Sequence, residues 1–299
     1  MINKPKRLRR SMLLRVASLA PLGFLGACRS TNYGDALFKL QLASAGKDVM
    51  WMPSSEAISM AMLRAADTQP GDLVYDLGSG DGVIPILAAK HFGARAIGIE
   101  YNPDLVELSK RNAIRAGVAD RTSFRQADLF EVDFSDASVV TLYLGEGINL
   151  KLAPRLAHLK AGTRVVSNRF DLGSWQPDRR ITEVPDELAM LWVVPARLQG
   201  RWKIFPGAGL DIEQVDIIQS HQIVELRSVE RGASRLLGEG RITGNDVHMV
   251  FQQAKGPPIV VKASLAADAQ RLLPMRPPGS DVHPLTEGLL QRISIEKRS

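Results

Sequence analysis

From Gly71 to Ser167 the chain alternates short apolar runs with helix-like segments, and this alternation limits the possible folds more than any other feature of the sequence. Asp72-Leu73-Val74-Tyr75-Asp76-Leu77 is a nearly continuous apolar run, as expected of a strand covered on both faces. Gly78-Ser79-Gly80-Asp81-Gly82 follows, a loop whose missing Cβ atoms let backbone approach a ligand closely. A helix is expected from near Gly82, with Pro85 in its first turn, where a missing amide donor costs little. Ala96-Ile97-Gly98-Ile99 makes a second strand ending at Glu100; Asn102 and Pro103 suit the cap and first position of the next helix, and Gly117 its stop. Ser123-Phe124-Arg125, Val139 to Leu144 and Arg164-Val165-Val166-Ser167 supply three further strands. Strands alternating with helices predict an α/β domain built on a parallel sheet.

With 299 residues, one large domain or two modest ones can bury a real core. Hydrophobic residues at 45% and charged residues at 23% exclude collagen-like and wholly disordered chains. The single cysteine, Cys28, excludes a disulfide framework and a cysteine-built zinc site. The net charge of +6 sits at the front: residues 1–27 hold six basic residues and no acid, leaving 32 basic and 32 acidic residues in the remainder. A neutral body gains little from counterion release on a phosphate backbone, so nucleic acid is not expected as a partner. His91, His158, His221, His248 and His283 show no helical pairing and no short spacing with acids, and no metal site is expected.

The glycine loop discriminates between nucleotide ligands. A dinucleotide fingerprint needs its third glycine one position later than Gly82, where Val83 stands. No basic residue lies between Arg64 and Lys90, whereas Asp76 and Asp81 flank the loop, a poor setting for a pyrophosphate. A ligand carrying an ammonium and a sulfonium fits better, with its carboxylate on the helix amides. Asp76-Leu77-Gly78-Ser79-Gly80-Asp81-Gly82, followed in order by Glu100 and Asp128, resembles the first motif and strand-tip acids of the class I S-adenosylmethionine-dependent methyltransferases. That resemblance implies a Rossmann-like fold with S-adenosylmethionine as cofactor. By it, Asp76 and the backbone of Gly78, Ser79, Gly80 and Gly82 hold the methionine part, Glu100 takes the ribose hydroxyls, and Asp128 with Leu129 frames the adenine.

More narrowly, Val74 to Pro103, Asp128-Leu129-Phe130, Thr141 to Leu144 and Val165-Val166-Ser167 resemble a small family of protein lysine methyltransferases that modify membrane proteins such as the c-ring protein of ATP synthase. The likeness spans about residues 47–206. It implies a protein substrate, and Trp51-Met52-Pro53-Ser54-Ser55-Glu56 only partly matches the family's segment ahead of the glycine loop. In such a sheet the loop after the fourth strand faces the cofactor, which makes Glu146, Tyr143 and Asn149 candidates to orient or deprotonate the acceptor, Glu146 first. Glu146 equally suits a solvated helix start, Tyr143 strand packing, and Trp51 either a lid or the core. Aminopropyl transferases share the fold, and a non-catalytic envelope module that retained it is a third reading.

Ahead of this domain, the basic stretch and Val16 to Ala27 read as a signal or anchor segment, too short to span a bilayer. Leu25-Gly26-Ala27-Cys28 resembles a bacterial lipobox, and Arg9-Arg10-Ser11-Met12-Leu13 a twin-arginine signal with Met12 in place of the usual phenylalanine. An exported or anchored lipoprotein, in contact with a membrane surface through its N-terminus, is expected; the alternatives are an uncleaved anchor on the cytoplasmic face and an arginine-rich, acid-free organellar transit peptide with a chance cysteine. Residues 28–46 read as a linker, 47–206 as the cofactor-binding domain, 207–273 as a small antiparallel β module, and 274–299 as an extended tail. Within these, Leu191 to Pro195 and Gly200 to Phe205 are expected to pair as a hairpin that closes the main sheet, and Gly244-Asn245-Asp246 marks a turn inside the β module. Val247, Met249 and Phe251 alternate as one face of a sheet.

Overall fold

The computed structural model describes residues 33–40, 50–205, 213–229, 234–252, 256–275 and 289–293. The signal segment, Cys28 and His283 lie outside the described residues. β1 (Tyr33–Gly34) and β2 (Lys39–Leu40) form a short antiparallel ribbon. α1 (Glu56–Ala65) is capped by Ser55, whose hydroxyl accepts from the Ile58 amide at 3.2 Å. β3 (Leu73–Leu77), α2 (Val83–Phe92), β4 (Arg95–Glu100), α3 (Pro103–Ala116), β5 (Thr122–Gln126), β6 (Val139–Leu142), α4 (Glu146–Leu156) and β7 (Arg164–Asn168) then realise the expected alternation. The local signals act as anticipated: Asn102 caps α3 by accepting from the Asp104 amide at 2.9 Å, and Gly117 ends it at φ +71°.

β8 (Arg179–Ile181) and β9 (Ala189–Val193) complete a seven-stranded sheet of order β5-β4-β3-β6-β7-β9-β8. β3 to β7 run parallel, and β9 is antiparallel to both β7 and β8. Successive residues face opposite layers. Val74, Val139 and Val166 pack with α1 and α2, whereas Leu77, Val140, Leu142 and Val165 pack with α4 through Ile148, Leu152 and Leu156. Each such side chain contributes about 1.5–3 kcal/mol by leaving water, so both faces hold the sheet. The strand order reverses between β3 and β6, and a crevice opens there at their carboxyl ends.

The C-terminal part is a closed antiparallel barrel of eight strands. They are β10 (Gly200–Ile204), β11 (Gln214–Ser220), β12 (Ile223–Ser228), β13 (Leu236–Thr243), β14 (Asp246–Phe251), β15 (Ile259–Leu265), β16 (Arg271–Pro274) and β17 (Leu290–Arg292). Val247, Met249 and Phe251 point into its core with Trp202, Ile217 and Leu226, so side chains fill the interior. Gly244 and Asn245 form the two-residue turn between β13 and β14, with Gly244 at φ +59°.

Two expectations are corrected. The hairpin foreseen between Leu191–Pro195 and Gly200–Phe205 does not form: β8 supplies the partner of β9, and β10 pairs with β11 and β17 instead. Period-two alternation places Trp202 and Ile204 on one face but says nothing of which neighbour buries that face. The extended tail foreseen from Met275 contains β17, whose pairing with β10 and β16 closes the barrel. Three residues carry too little periodicity to register as a strand, and the open barrel edge recruits them. Among the described residues no helix is long and apolar enough to cross a membrane.

Candidate active site

The crevice is built on the loop after β3. The amides of Gly78 and Ser79 both donate to the Ile99 carbonyl, at 2.8 and 2.9 Å, which lays the loop across the end of β4. Gly98 is needed below it, since a Cβ there would come within 2.6 Å of the Ser79 hydroxyl. α3 braces the loop from the side: Ser109 donates to the Gly80 carbonyl at 2.9 Å and Asn112 to that of Asp81 at 2.8 Å. Gly80 lies in the left-handed region at φ +54°, and a Cβ there would reach within 2.6 Å of the Trp51 indole nitrogen. Trp51 therefore packs over the loop, as a lid residue would.

The three acids singled out in the sequence, Asp76, Glu100 and Asp128, all line the crevice. Asp76, at 3% exposure, accepts from the Thr141 hydroxyl at 2.7 Å. Burial pushes its carboxyl up to about 7, assisted by the negative charges of Glu100 and Asp81 and opposed by the Thr141 bond. Burial also raises the Asp81 carboxyl. Glu100, at the tip of β4, accepts from the Gly80 amide at 3.0 Å and the Asn102 amide at 2.9 Å. Asp128 accepts from the Phe130 amide at 2.9 Å, which folds Leu129 into the cavity wall.

These groups line one cavity, of about 980 Å³ when its open mouth is counted. Met50, Trp51, Met52 and Pro53 cover one side, and Tyr143, Leu144 and Ile148 form the other. Four carboxyl groups line it, those of Asp76, Asp81, Glu100 and Asp128, and among the described residues no Lys, Arg or His does. That donor set suits S-adenosylmethionine: carboxylates stabilise its ammonium and sulfonium and accept its ribose hydroxyls, whereas a pyrophosphate would be repelled.

The three acceptor-side candidates separate. Tyr143 lines the cavity and stacks on Phe170, with ring centroids 6.3 Å apart. Glu146 is exposed at the start of α4 and is not among the lining residues. Asn149 is fully buried, and its amide donates to Ser167 at 2.9 Å and to the carbonyls of Phe170 and Asp171 at 3.0 and 3.3 Å. Sequence reasoning missed Thr141, Ser109 and Arg155. The Arg155 guanidinium donates to the carbonyls of Leu129, Phe130 and Val132 and lies 4.5 Å over the Phe134 ring, fixing the segment that carries Leu129. Nothing in the spacing of Arg155 marks it, because its partners are backbone oxygens from a loop 23 to 26 residues earlier.

The family model of the ANTKMT methyltransferase domain matches residues 76–179. A protein-lysine N-methyltransferase of Saccharolobus islandicus (strain REY15A) is 41% identical over 140 residues, 46% of this chain and 86% of the relative. An adenine nucleotide translocase lysine N-methyltransferase of Mus musculus is 42% identical over 122 residues, 40% of this chain and 52% of the relative, so about half of that protein's length is covered. Among solved structures, an RNA methyltransferase from Salinibacter ruber in complex with S-adenosyl-L-homocysteine is 48% identical at a TM-score of 0.48, covering 49% of this chain and 96% of that one. Since the Saccharolobus relative is matched over most of its length, the chain belongs to this family of methyltransferases, class I enzymes whose methyl donor is S-adenosylmethionine.

Proposed function

We propose that the protein methylates the ε-amine of a lysine in a protein substrate, and that it works at a membrane surface. The observation that bears on the acceptor class is the cavity wall, which beyond the carboxyl groups assigned below to the cofactor carries, among the described residues, no basic side chain. Such a wall does not repel a cationic amine and offers no counter-charge to the phosphates of an RNA. The names of the Saccharolobus and mouse relatives support a lysine as acceptor, and the mouse name gives a translocase as the protein that carries it. The aminopropyl-transferase reading gains no support from Tyr143 to Asn149, where Glu146 is the one acid.

When bound, S-adenosylmethionine supplies an electrophilic methyl group on its sulfonium. Asp76 and the glycine loop would hold its methionine part, Glu100 its ribose, and Asp128 with Leu129 its adenine. The chain must also free the amine lone pair. A lysine pKa of about 10.4 makes the neutral amine cost about 4.6 kcal/mol at pH 7. Leu144 and Ile148 give that pocket a buried apolar wall, and desolvation lowers the cost. The Tyr143 hydroxyl orients the amine from the cavity wall, Asn149 positions the neighbouring loop, and Glu146 receives the released proton at the solvent edge. At the N-terminus, lipid on the Cys28 thiol anchors the protein.

Titration calorimetry with S-adenosylmethionine and S-adenosylhomocysteine, followed by transfer of labelled methyl into a membrane-protein extract, tests the activity. Label recovered as methyl-lysine supports it, and label confined to nucleic acid overturns the acceptor class. Cell fractionation of Cys28→Ser tests the anchor, which is refuted by unchanged membrane attachment.

A further inference from the structure

The barrel lies beyond the segment matched by the family model, yet it grips a loop of the methyl-transfer domain. Phe170 to Trp175 leave the carboxyl end of β7, next to the crevice. α4 holds the first half of this loop through the Asn149 amide, and Gly173, at φ +71°, fits beneath Leu150, whose methyl would lie 2.7 Å from an added Cβ. The second half is held by Trp175, which is fully buried. The Trp192 indole donates to the Trp175 carbonyl at 2.7 Å, and the two rings tilt against each other at 6.4 Å. The His221 ring lies parallel to Trp175, 5.6 Å between centroids and 6° between planes, with its Nε2 3.4 Å from the Ser174 hydroxyl.

His221 belongs to the turn between β11 and β12. It sits at φ +50°, in the left-handed region where histidine, like asparagine and aspartate, is enriched, and Gln219 secures it by donating to its carbonyl at 2.7 Å. The adjacent Gln222 donates to the Gln176 carbonyl at 2.5 Å, so the same turn is also fastened to the residue that follows Trp175. The other end of the loop meets the site: Phe170 stacks on Tyr143, which lines the cavity.

We propose that His221 is a positioning residue for methyl transfer: through its stack on Trp175 the barrel sets the loop Phe170–Trp175 and with it the aromatic pair Phe170–Tyr143 that faces the acceptor. The barrel then serves acceptor placement and leaves cofactor binding to the sheet. This rests on the acceptor reading given above, in which Tyr143 orients the amine.

The test compares His221→Ala with His221→Phe in the full chain. Loss of the ring should speed hydrogen exchange in Phe170–Trp175 several-fold, with the Gly78–Gly82 loop unchanged. It should raise KM for poly-L-lysine about two- to tenfold, the range of an aromatic stack, while the Kd for S-adenosylmethionine stays within about twofold. His221→Phe, which keeps a stacking ring, should restore both. Unaltered exchange of the loop in His221→Ala overturns the proposal, as does cofactor affinity that weakens as much as KM. An unsubstituted protein inactive on poly-L-lysine would fail the lysine reading instead, because the exchange measurement decides the role of His221 without an acceptor.

Discussion

The Glu100 carboxylate is tied to Gly80 across two elements: its Oε2 accepts the Gly80 amide at 3.0 Å, joining the tip of β4 to the loop after β3. Its Oε1 takes the Asn102 amide at 2.9 Å, and the lone pairs left on both oxygens remain for hydroxyl donors. The acid that would hold the ribose therefore also shapes the loop that would hold the methionine part. Glu100→Gln removes the charge and keeps the shape. Its Kd for S-adenosylmethionine should rise about 10- to 100-fold, the span of one hydrogen bond to a charged group, with an unchanged circular dichroism spectrum. Wild-type affinity by calorimetry would refute the assignment.

Asp76 makes binding dependent on pH. With its carboxyl pushed up to about 7 by burial, the ligand-free protein holds a proton there at pH 6 and has released it by pH 8. A cationic ligand favours the ionised form, so affinity should fall about tenfold for each unit below pH 7, and calorimetry across pH 5 to 8 measures the slope.

The same group has an opposite effect on stability. Between the ordinary carboxylate value of 3.8 and about 7, the folded protein binds the proton and the unfolded chain does not, so stability of the ligand-free protein declines as pH rises through that window. Asp76→Asn should raise Tm at pH 8 and abolish cofactor binding. A lower Tm at pH 8, read by differential scanning fluorimetry, would refute burial as the cause of the raised pKa.

Gly80→Ala combines backbone strain at φ +54° with a collision against Trp51. It should cost about 1–2 kcal/mol in urea denaturation and weaken cofactor binding. Trp51→Ala removes the collision and leaves the strain, so the double variant should be less destabilised than the sum of the two single ones. Strict additivity would mean that the indole does not pack on the loop in solution.

Arg155→Lys retains the charge but cannot reproduce a planar fork on three carbonyls. A loss of about 2 kcal/mol is expected, with several-fold weaker cofactor binding because Leu129 is no longer held. Chemical denaturation and calorimetry measure the two effects separately.

The glycine loop and the acids that line the crevice were legible because their signals are local. Gly78, Gly80 and Gly82 are separated by single residues and are required by positive φ angles, and Glu100 ends a strand that the next helix cap delimits. Arg155, Ser109 and Thr141 were not legible. Each meets its partner across 23 to 65 residues of sequence; those of Ser109 and Arg155 are backbone oxygens, which leave no compositional mark, and that of Thr141 is the Asp76 carboxylate on a neighbouring strand. The expected acceptor residues illustrate the same limit. Tyr143, Glu146 and Asn149 are close in sequence, yet the first turn of α4 puts Glu146 in solvent and Asn149 beneath the Phe170 loop.

By itself the sequence determined the alternation of strand and helix, the glycine loop and the order of the strand-tip acids, since each follows from backbone sterics and periodicity within about ten residues. Tertiary structure alone decided that β10 leaves the main sheet for a barrel, that residues 290–292 close that barrel, and that His221 reaches back to Trp175. Which apolar face buries which is settled by competition among distant partners for the same surface. An alternating strand satisfies that competition equally well in either sheet until the whole chain is packed.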